Sequence, residues 1–79
     1  MTYCEQKLKQ IYINFTFSSG VYRHDEHLLR LLYVDTLEHL SDQLKCLKKA
    51  HYPQGELTFY GNYYRRLITQ YYHSHQAMA

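Results

Sequence analysis

The sequence is poor in the residues that build flexible loops and phosphate-binding turns. It has three glycines and one proline in 79 residues, and it contains no G-x-G-x-x-G or G-K-[ST] phosphate loop. Tryptophan is absent, and no apolar run approaches the roughly 20 residues that a membrane span requires. The first ten residues, MTYCEQKLKQ, lack the apolar core of an export signal. We therefore expect a cytoplasmic protein with no membrane partner.

Cysteine is scarce, with only Cys4 and Cys46 in the chain. Because no export signal is evident, two reduced thiols are expected rather than a disulfide. Cys46 falls beside an apolar stripe on a helix, where a small buried thiol is the usual occupant. A nucleophilic thiolate needs an exposed, electropositive pocket, which a domain of this size rarely forms. We therefore expect no enzymatic activity.

Six histidines raise the question of a metal site. His24 and His27 form an H-x-x-H pair, and His73 and His75 form a second pair. Zinc needs about four converging ligands. Neither pair has a neighbouring cysteine, and the H-E-x-x-H pattern is absent. Solvated histidines, no metal and no cofactor are the expected arrangement.

The length suits one small domain, 1–79, with frayed ends at 1–7 and 73–79. The formal net charge is +2, but it is unevenly distributed. Residues 1–42 carry six acidic and four basic side chains, whereas residues 43–79 carry one acidic and five basic side chains. The chain also has ten tyrosines, a residue that suits a half-wet contact surface as well as a core.

The clearest helix signal runs from Asp35 to Tyr52. Asp35 is a natural N-cap, and Glu38 completes a capping-box-like pair. The helix must end before Pro53, which opens a turn. Leucines recur at helical spacing in one apolar stripe: Leu37, Leu40, Leu44 and Leu47. These signals predict a central amphipathic helix over about 36–50.

Two segments alternate in the manner of strands. Residues 8–17, LKQIYINFTF, place four apolar side chains on one face: Ile11, Ile13, Phe15 and Phe17. Residues 56–60, ELTFY, form a shorter pattern of the same kind. Residues 25–34 suit a helix, because leucine is a strong helix former, or a third strand. The cap signal at Asp35 favours the strand, since it implies a helix that begins there.

The last patterned segment, 63–72, is either a return strand after a Gly61-Asn62 hairpin or a helix. Apolar pairs that recur every four residues favour the helix, over about 63–73. We therefore predict an α+β fold. A small antiparallel sheet of two to three strands would pack against the central helix and this C-terminal helix.

The basic and aromatic second half is the strongest candidate for a binding surface. Protein hot spots are rich in tyrosine and arginine, and nucleic acid is bound by the same residue types. The selected residues are Lys48, Lys49, Tyr60, Tyr63, Arg65, Arg66 and Tyr72. A structural explanation competes for part of this segment, in which one apolar face covers the leucine stripe: Tyr64, Leu67, Ile68 and Tyr71.

Protein binding is favoured by elimination. The basic surplus is small for a phosphate binder, and no nucleic-acid-binding signature is present. We expect a small non-enzymatic regulator or inhibitor that occludes a larger protein or complex. A small nucleic-acid-binding regulator is the alternative, and a homodimer is a variant. The size and the lack of motifs are analogous to those of small proteins that phages and other mobile elements use against host defences.

Overall fold

The computed structural model describes residues 2–77 and contains three helices and no strand over that range. The helices are α1 (Tyr3–Val21), α2 (Glu26–Lys49) and α3 (Gln54–Ala77). Short connections at 22–25 and 50–53 make consecutive helices antiparallel. Each helix packs against the other two, and the bundle is a rod of 41 × 16 × 16 Å. The predicted α+β fold with an antiparallel sheet is therefore wrong.

The strand predicted for residues 8–17 is instead part of α1. Thr2 caps this helix, because its hydroxyl accepts a hydrogen bond from the Glu5 N–H at 3.1 Å. Ile13 and Phe17, half of the predicted strand face, are 44% and 77% exposed. The buried positions recur every three or four residues: Cys4, Leu8, Ile11, Phe15 and Ser19. Packing against two helices thus overrides the β-propensity of branched and aromatic side chains.

The strand favoured for residues 25–34 is also wrong, because α2 begins within this segment. Asp25 is the N-cap, and its carboxylate accepts a hydrogen bond from the Leu28 N–H at 3.1 Å. Asp35 is an exposed position inside the helix. Both aspartates are suitable N-caps, and Asp35 has the additional capping-box signal from Glu38. The helix propensity of the leucines between them outweighs that signal and places the start of the helix at the earlier aspartate. The helix predicted over about 36–50 is confirmed as the second half of α2.

The strand predicted for residues 56–60 is wrong as well, because it lies in α3. The helix favoured over about 63–73 is confirmed, since α3 covers that range. Gly61 is therefore a buried helical position rather than a hairpin turn. A Cβ atom at Gly61 would lie 2.9 Å from Cδ1 of Leu44. The glycine thus lets α2 and α3 approach closely at this point.

The core contains the leucine stripe and the helical face predicted to cover it. Leu40 and Leu47 are buried, and the other two stripe leucines pack against the core while partly buried. On α3, Tyr64 and Ile68 are buried, and Leu67 and Tyr71 are partly buried against the same core. The prediction that one face of the C-terminal helix covers the stripe is therefore confirmed.

The prediction of one domain over 1–79 with frayed ends at 1–7 and 73–79 stays a prediction. The described parts of both ends are helical, from Tyr3 in α1 and up to Ala77 in α3. Residues 1, 78 and 79 of the predicted frayed ends lie outside the described residues.

Helix α2 ends in a Schellman motif just before Pro53. The His51 N–H donates to the Lys48 carbonyl at 3.0 Å. The Tyr52 N–H donates to the Leu47 carbonyl at 3.2 Å. His51 adopts a φ of 66°, in the left-handed region that costs residues other than glycine about 1–2 kcal/mol. The sharp turn between α2 and α3 therefore carries backbone strain at one histidine.

Glycine at this position should relieve that strain. We expect His51→Gly to raise the free energy of unfolding by about 0.5–1 kcal/mol, because glycine adopts the left-handed region without strain. The greater conformational entropy of glycine in the unfolded chain offsets part of this gain. Urea denaturation at neutral pH measures the change. His51→Ala is the matched control, since it removes the imidazole and keeps the strained φ. An equal gain in both variants would mean that the imidazole, rather than the backbone, is unfavourable.

Candidate functional site

The seven predicted site residues do not form one surface. Lys48 and Arg65 lie in a groove between α2 and α3, and Tyr60 and Tyr63 lie in a groove between α1 and α3. Lys49 and Arg66 are on the exposed surface. Tyr72 is in the core. The groove that contains the two cations and the groove that contains the two tyrosines thus lie on different sides of α3. The outward face of α3 connects the two grooves.

The groove between α2 and α3, the basic groove, has a cavity volume of about 250 Å³. Its three charged residues are all cations, Lys45, Lys48 and Arg65, and no carboxylate of the described chain lines it. The remaining lining residues are polar or aliphatic: Ser41, Leu44, Gln54, Leu57, Thr58, Gly61 and Asn62. Neighbouring cations that share a groove create a positive potential, which attracts anionic groups.

The groove between α1 and α3, the aromatic groove, is larger, with a cavity volume of about 510 Å³. Aromatic and aliphatic side chains dominate its lining, which is completed by one acid and one base: Glu5, Lys9, Tyr12, Phe59, Tyr60, Tyr63, Tyr64 and Leu67. Phe59 and Tyr63 are its outermost rings, 65% and 47% exposed. They lie one helical turn apart and form an exposed aromatic ridge on α3.

Each ring of this ridge rests edge-on against an inner ring. Phe59 meets Tyr60 with centroids 5.1 Å apart and an interplanar angle of 84°. Tyr63 meets Tyr64 with centroids 5.0 Å apart and an angle of 90°. Edge-to-face contacts of this kind are favourable beyond simple area burial. Each exposed ring therefore has one favourable aromatic contact within the bundle.

Two phenols of the aromatic groove, Tyr60 and Tyr64, have a raised pKa. Glu5 is the main cause that raises the pKa of Tyr60, and burial and Glu56 add to it. Burial is the main cause that raises the pKa of Tyr64, followed by Glu5. Both phenols remain protonated at neutral pH, so each O–H can donate a hydrogen bond and its oxygen can accept one.

Tyr72 belongs to the core and also lines a groove with Tyr33 and His73. It is 8% exposed, and its ring stacks on Tyr33 with centroids 4.2 Å apart and an angle of 5°. The hydroxyl of Tyr33 in turn shares a hydrogen bond with that of Thr69 at 3.0 Å. The sequence pairs Tyr71 with Tyr72, and only the position of α3 against α2 decides which of them is buried more deeply.

Only Tyr60 and Tyr63 of the aromatic groove are among the site residues predicted from the sequence, and the six others are absent, Phe59 and Tyr12 among them. Phe59 is assigned there to a strand, although its spacing of four from Tyr63 is the signal that would place both on one helical face. Tyr12 has no such signal, because it comes from α1. Its ring lies 6.3 Å from that of Tyr64, so the contact exists only through tertiary packing.

The two cysteines are free thiols in different environments. Cys4 is buried, and burial raises its pKa, with smaller effects from Glu56 and Glu5. This thiol therefore stays protonated and acts as a packing residue. Cys46 is exposed, so the prediction of a buried thiol there is wrong. It precedes Leu47 by one residue and is turned about 100° away from the leucine stripe.

His27 of the first predicted histidine pair and His73 of the second line one groove together with Glu26 and Arg30. Among the described residues, no group of three or more His, Cys, Asp and Glu side chains is arranged to hold a metal ion. The side chain of His75, half of the second predicted histidine pair, lies outside the described residues. The aromatic and basic grooves thus carry the most distinctive chemistry of the described chain.

A row of apolar side chains also faces outward on α1. Ile13, Phe17 and Val21 follow one another at intervals of four residues, and all three are exposed. The surrounding segment, residues 10–22, contains no charged residue. This apolar row, which begins one helical turn after Lys9, differs from both grooves and is suited to contact with another apolar helix.

None of the helices, over the residues described, combines the length and apolarity that crossing a bilayer requires. Comparison with known proteins adds no relative from which a role could be transferred. No protein-family model matches the chain, and neither a curated protein nor a solved structure does.

Proposed function

We propose that this chain is a small non-enzymatic protein-binding regulator that acts by occluding part of a larger protein. The observation that supports this most is the exposed aromatic ridge of Phe59 and Tyr63 beside Arg66 on α3. Tyrosine and arginine are typical of protein hot spots, and aromatic anchors supply most of their binding energy. Each ridge ring already has one aromatic contact, which reduces the side-chain freedom that is lost when a partner binds.

The size of the domain is compatible with this role. Its accessible surface is 5583 Å², and a standard protein interface takes about 800 Å² from each partner. One face of the bundle, about a seventh of the surface, is therefore sufficient. A rigid rod 41 Å long can cover a site on a larger protein without any change in its own fold.

Nucleic-acid binding remains the second candidate, because the basic groove offers lysine and arginine. The arrangement of the cations favours a protein partner instead. Single-stranded nucleic acid is bound by cations interleaved with aromatic rings along one track. In the described part of this bundle the groove with Lys48 and Arg65 has no aromatic ring in its lining, and the one cation that lines the aromatic groove, Lys9, is accompanied there by the acidic Glu5. The small net charge of +2 also gives weak attraction to phosphates.

The proposal is tested by affinity capture from host lysate with and without nuclease. Phe59→Ala/Tyr63→Ala should reduce recovery of the captured protein at least about tenfold, because both hot-spot rings are removed. Leu28→Ala/Leu31→Ala is the matched control. It removes two exposed apolar side chains from α2 instead, and it should leave recovery unchanged. Both double variants should remain folded, with melting temperatures lowered by a similar small amount, because each loses two partly exposed side chains.

Three results would contradict the proposal in different ways. Loss of capture after nuclease treatment would favour the nucleic-acid alternative. Equal recovery by both double variants would place the contact elsewhere. A captured species that is only a second copy of this chain would favour the homodimer, for which the row of Ile13, Phe17 and Val21 is the natural contact.

A further inference from the structure

The basic groove has chemistry that the aromatic ridge does not use. Its cations come from two helices, Lys45 and Lys48 from α2 and Arg65 from α3. Within residues 2–77 no acidic side chain lines the groove to neutralise them. A ligand that carries negative charge would therefore supply the missing counter-charge, and Arg65 could bind a carboxylate through two parallel hydrogen bonds.

The floor of the groove is apolar. Leu44 and Leu57 line it together with Gly61, and the Leu44 side chain covers Gly61. A ligand that carried only charge would leave the partly buried Leu44 side chain in contact with water. An aliphatic group between two negative groups would cover the floor and also reach the cations.

The length of the groove matches a short peptide. Its α3 side runs from Gln54 to Arg65 and its α2 side from Ser41 to Lys48, which at 1.5 Å per residue gives about 10–17 Å. An extended chain covers about 3.3 Å per residue, so three to five residues fit. The polar groups of Gln54, Asn62 and Thr58 can hydrogen-bond to the backbone of such a segment.

We infer that the basic groove binds an acidic peptide segment of the protein partner, with an aliphatic side chain between its carboxylates. The inference rests on the proposed function only in taking the partner to be a protein. Nucleic acid fits this groove less well, because no aromatic ring lines it to stack a base. Clusters of basic side chains are a recurrent means of recognising acidic motifs.

The chain provides two matched pairs of charge reversals for the test. Lys48 and Lys49 are neighbours at the end of α2, and only Lys48 lines the groove. Arg65 and Arg66 are neighbours on α3, and only Arg65 lines it. Within each pair the glutamate variants have the same net charge. Both variants of a pair therefore weaken long-range electrostatic attraction to a similar extent. Only the variant at the groove residue also removes a direct contact with the ligand.

The probe is a fluorescein-labelled peptide of sequence GDELDEG, with GNQLNQG as its uncharged counterpart. We expect fluorescence anisotropy to show that GDELDEG binds the unmodified protein and GNQLNQG does not. Lys48→Glu and Arg65→Glu should each weaken binding at least about tenfold, because they place repulsion in the groove. Lys49→Glu and Arg66→Glu should weaken it less than about threefold, as expected for screened charges at a distance.

Several outcomes would overturn the inference. The first is that GDELDEG does not bind the unmodified protein, and the second is that both peptides bind equally. The third is that the two variants of each lysine or arginine pair lose the same amount of affinity for GDELDEG. A ten-nucleotide oligothymidine run in parallel identifies nucleic acid as the occupant if it alone shows the Lys48 and Arg65 dependence. Failure of this inference can be distinguished from failure of the proposed function. The proposed function is tested separately, by capture from lysate and by the dependence of that capture on Phe59 and Tyr63.

Discussion

Phe15→Ala should lower the free energy of unfolding by about 3–5 kcal/mol. Phe15 is 2% exposed and lies where all three helices meet. Its ring centroid is 5.7 Å from that of Tyr71 on α3 and 6.4 Å from that of Tyr33 on α2. Truncation removes the transfer free energy of the ring, leaves a cavity, and breaks two aromatic contacts. A small domain has about 5–15 kcal/mol in total, so the loss is a large share of its stability.

Urea denaturation followed by circular dichroism measures the change, and Phe17→Ala is the matched control. The same substitution two residues later removes a ring that is 77% exposed, and should change the free energy of unfolding by less than about 0.5 kcal/mol. In a strand, residues 15 and 17 would share one buried face and would respond alike. Equal losses in the two variants would therefore contradict the helical assignment of α1.

Gly61→Leu should lower the free energy of unfolding by about 1–3 kcal/mol, through overpacking between α2 and α3. Even a Cβ atom at this position would approach Cδ1 of Leu44 to 2.9 Å and Cδ2 to 3.3 Å. A leucine must therefore displace the Leu44 side chain or push the two helices apart. The gain in helix propensity on replacing glycine, about 1 kcal/mol, offsets only part of this cost. Thermal and urea denaturation both report the change.

Gly55→Leu is the control for this substitution, because Gly55 lies on the same helix and a Cβ atom added there would meet nothing within 4 Å. It should be neutral or slightly stabilising. Adding Leu44→Ala to Gly61→Leu exchanges a large and a small side chain across the contact, and should recover stability with a coupling of about 0.5–3 kcal/mol. Strict additivity of the two substitutions would show that Gly61 and Leu44 do not interact.

The spacing of apolar residues predicts secondary structure correctly where it fits only one type of element. The leucine stripe fits only a helical spacing, and the helix over 36–50 is confirmed. In α1 the apolar positions of residues 11–17 fit both an alternating and a helical pattern. The buried set that resolves the ambiguity includes Cys4 and Ser19, which are small or polar and give a weak apolar signal. Cys4 and Ser19 are buried only because α2 and α3 pack against α1, and that packing is not visible in the sequence.

The candidate site shows a different limit. Residue type indicates that Lys48, Arg65 and Tyr63 lie in exposed or grooved positions of the second half of the chain, and they do. Which side of α3 each residue faces depends on how α1 and α2 pack against it, and adjacent residues such as Arg65 and Arg66 separate at about 100° per residue. The division into a basic and an aromatic groove is therefore a property of the tertiary structure.

The short connections at 22–25 and 50–53 have a kinetic consequence. Each brings a helix back against its predecessor after only a few residues, so little chain entropy is lost before the leucine stripe is covered. Helical bundles dominated by contacts close in sequence fold in microseconds to milliseconds. A chain of this design hides its apolar surfaces soon after it leaves the ribosome, which limits the time available for aggregation.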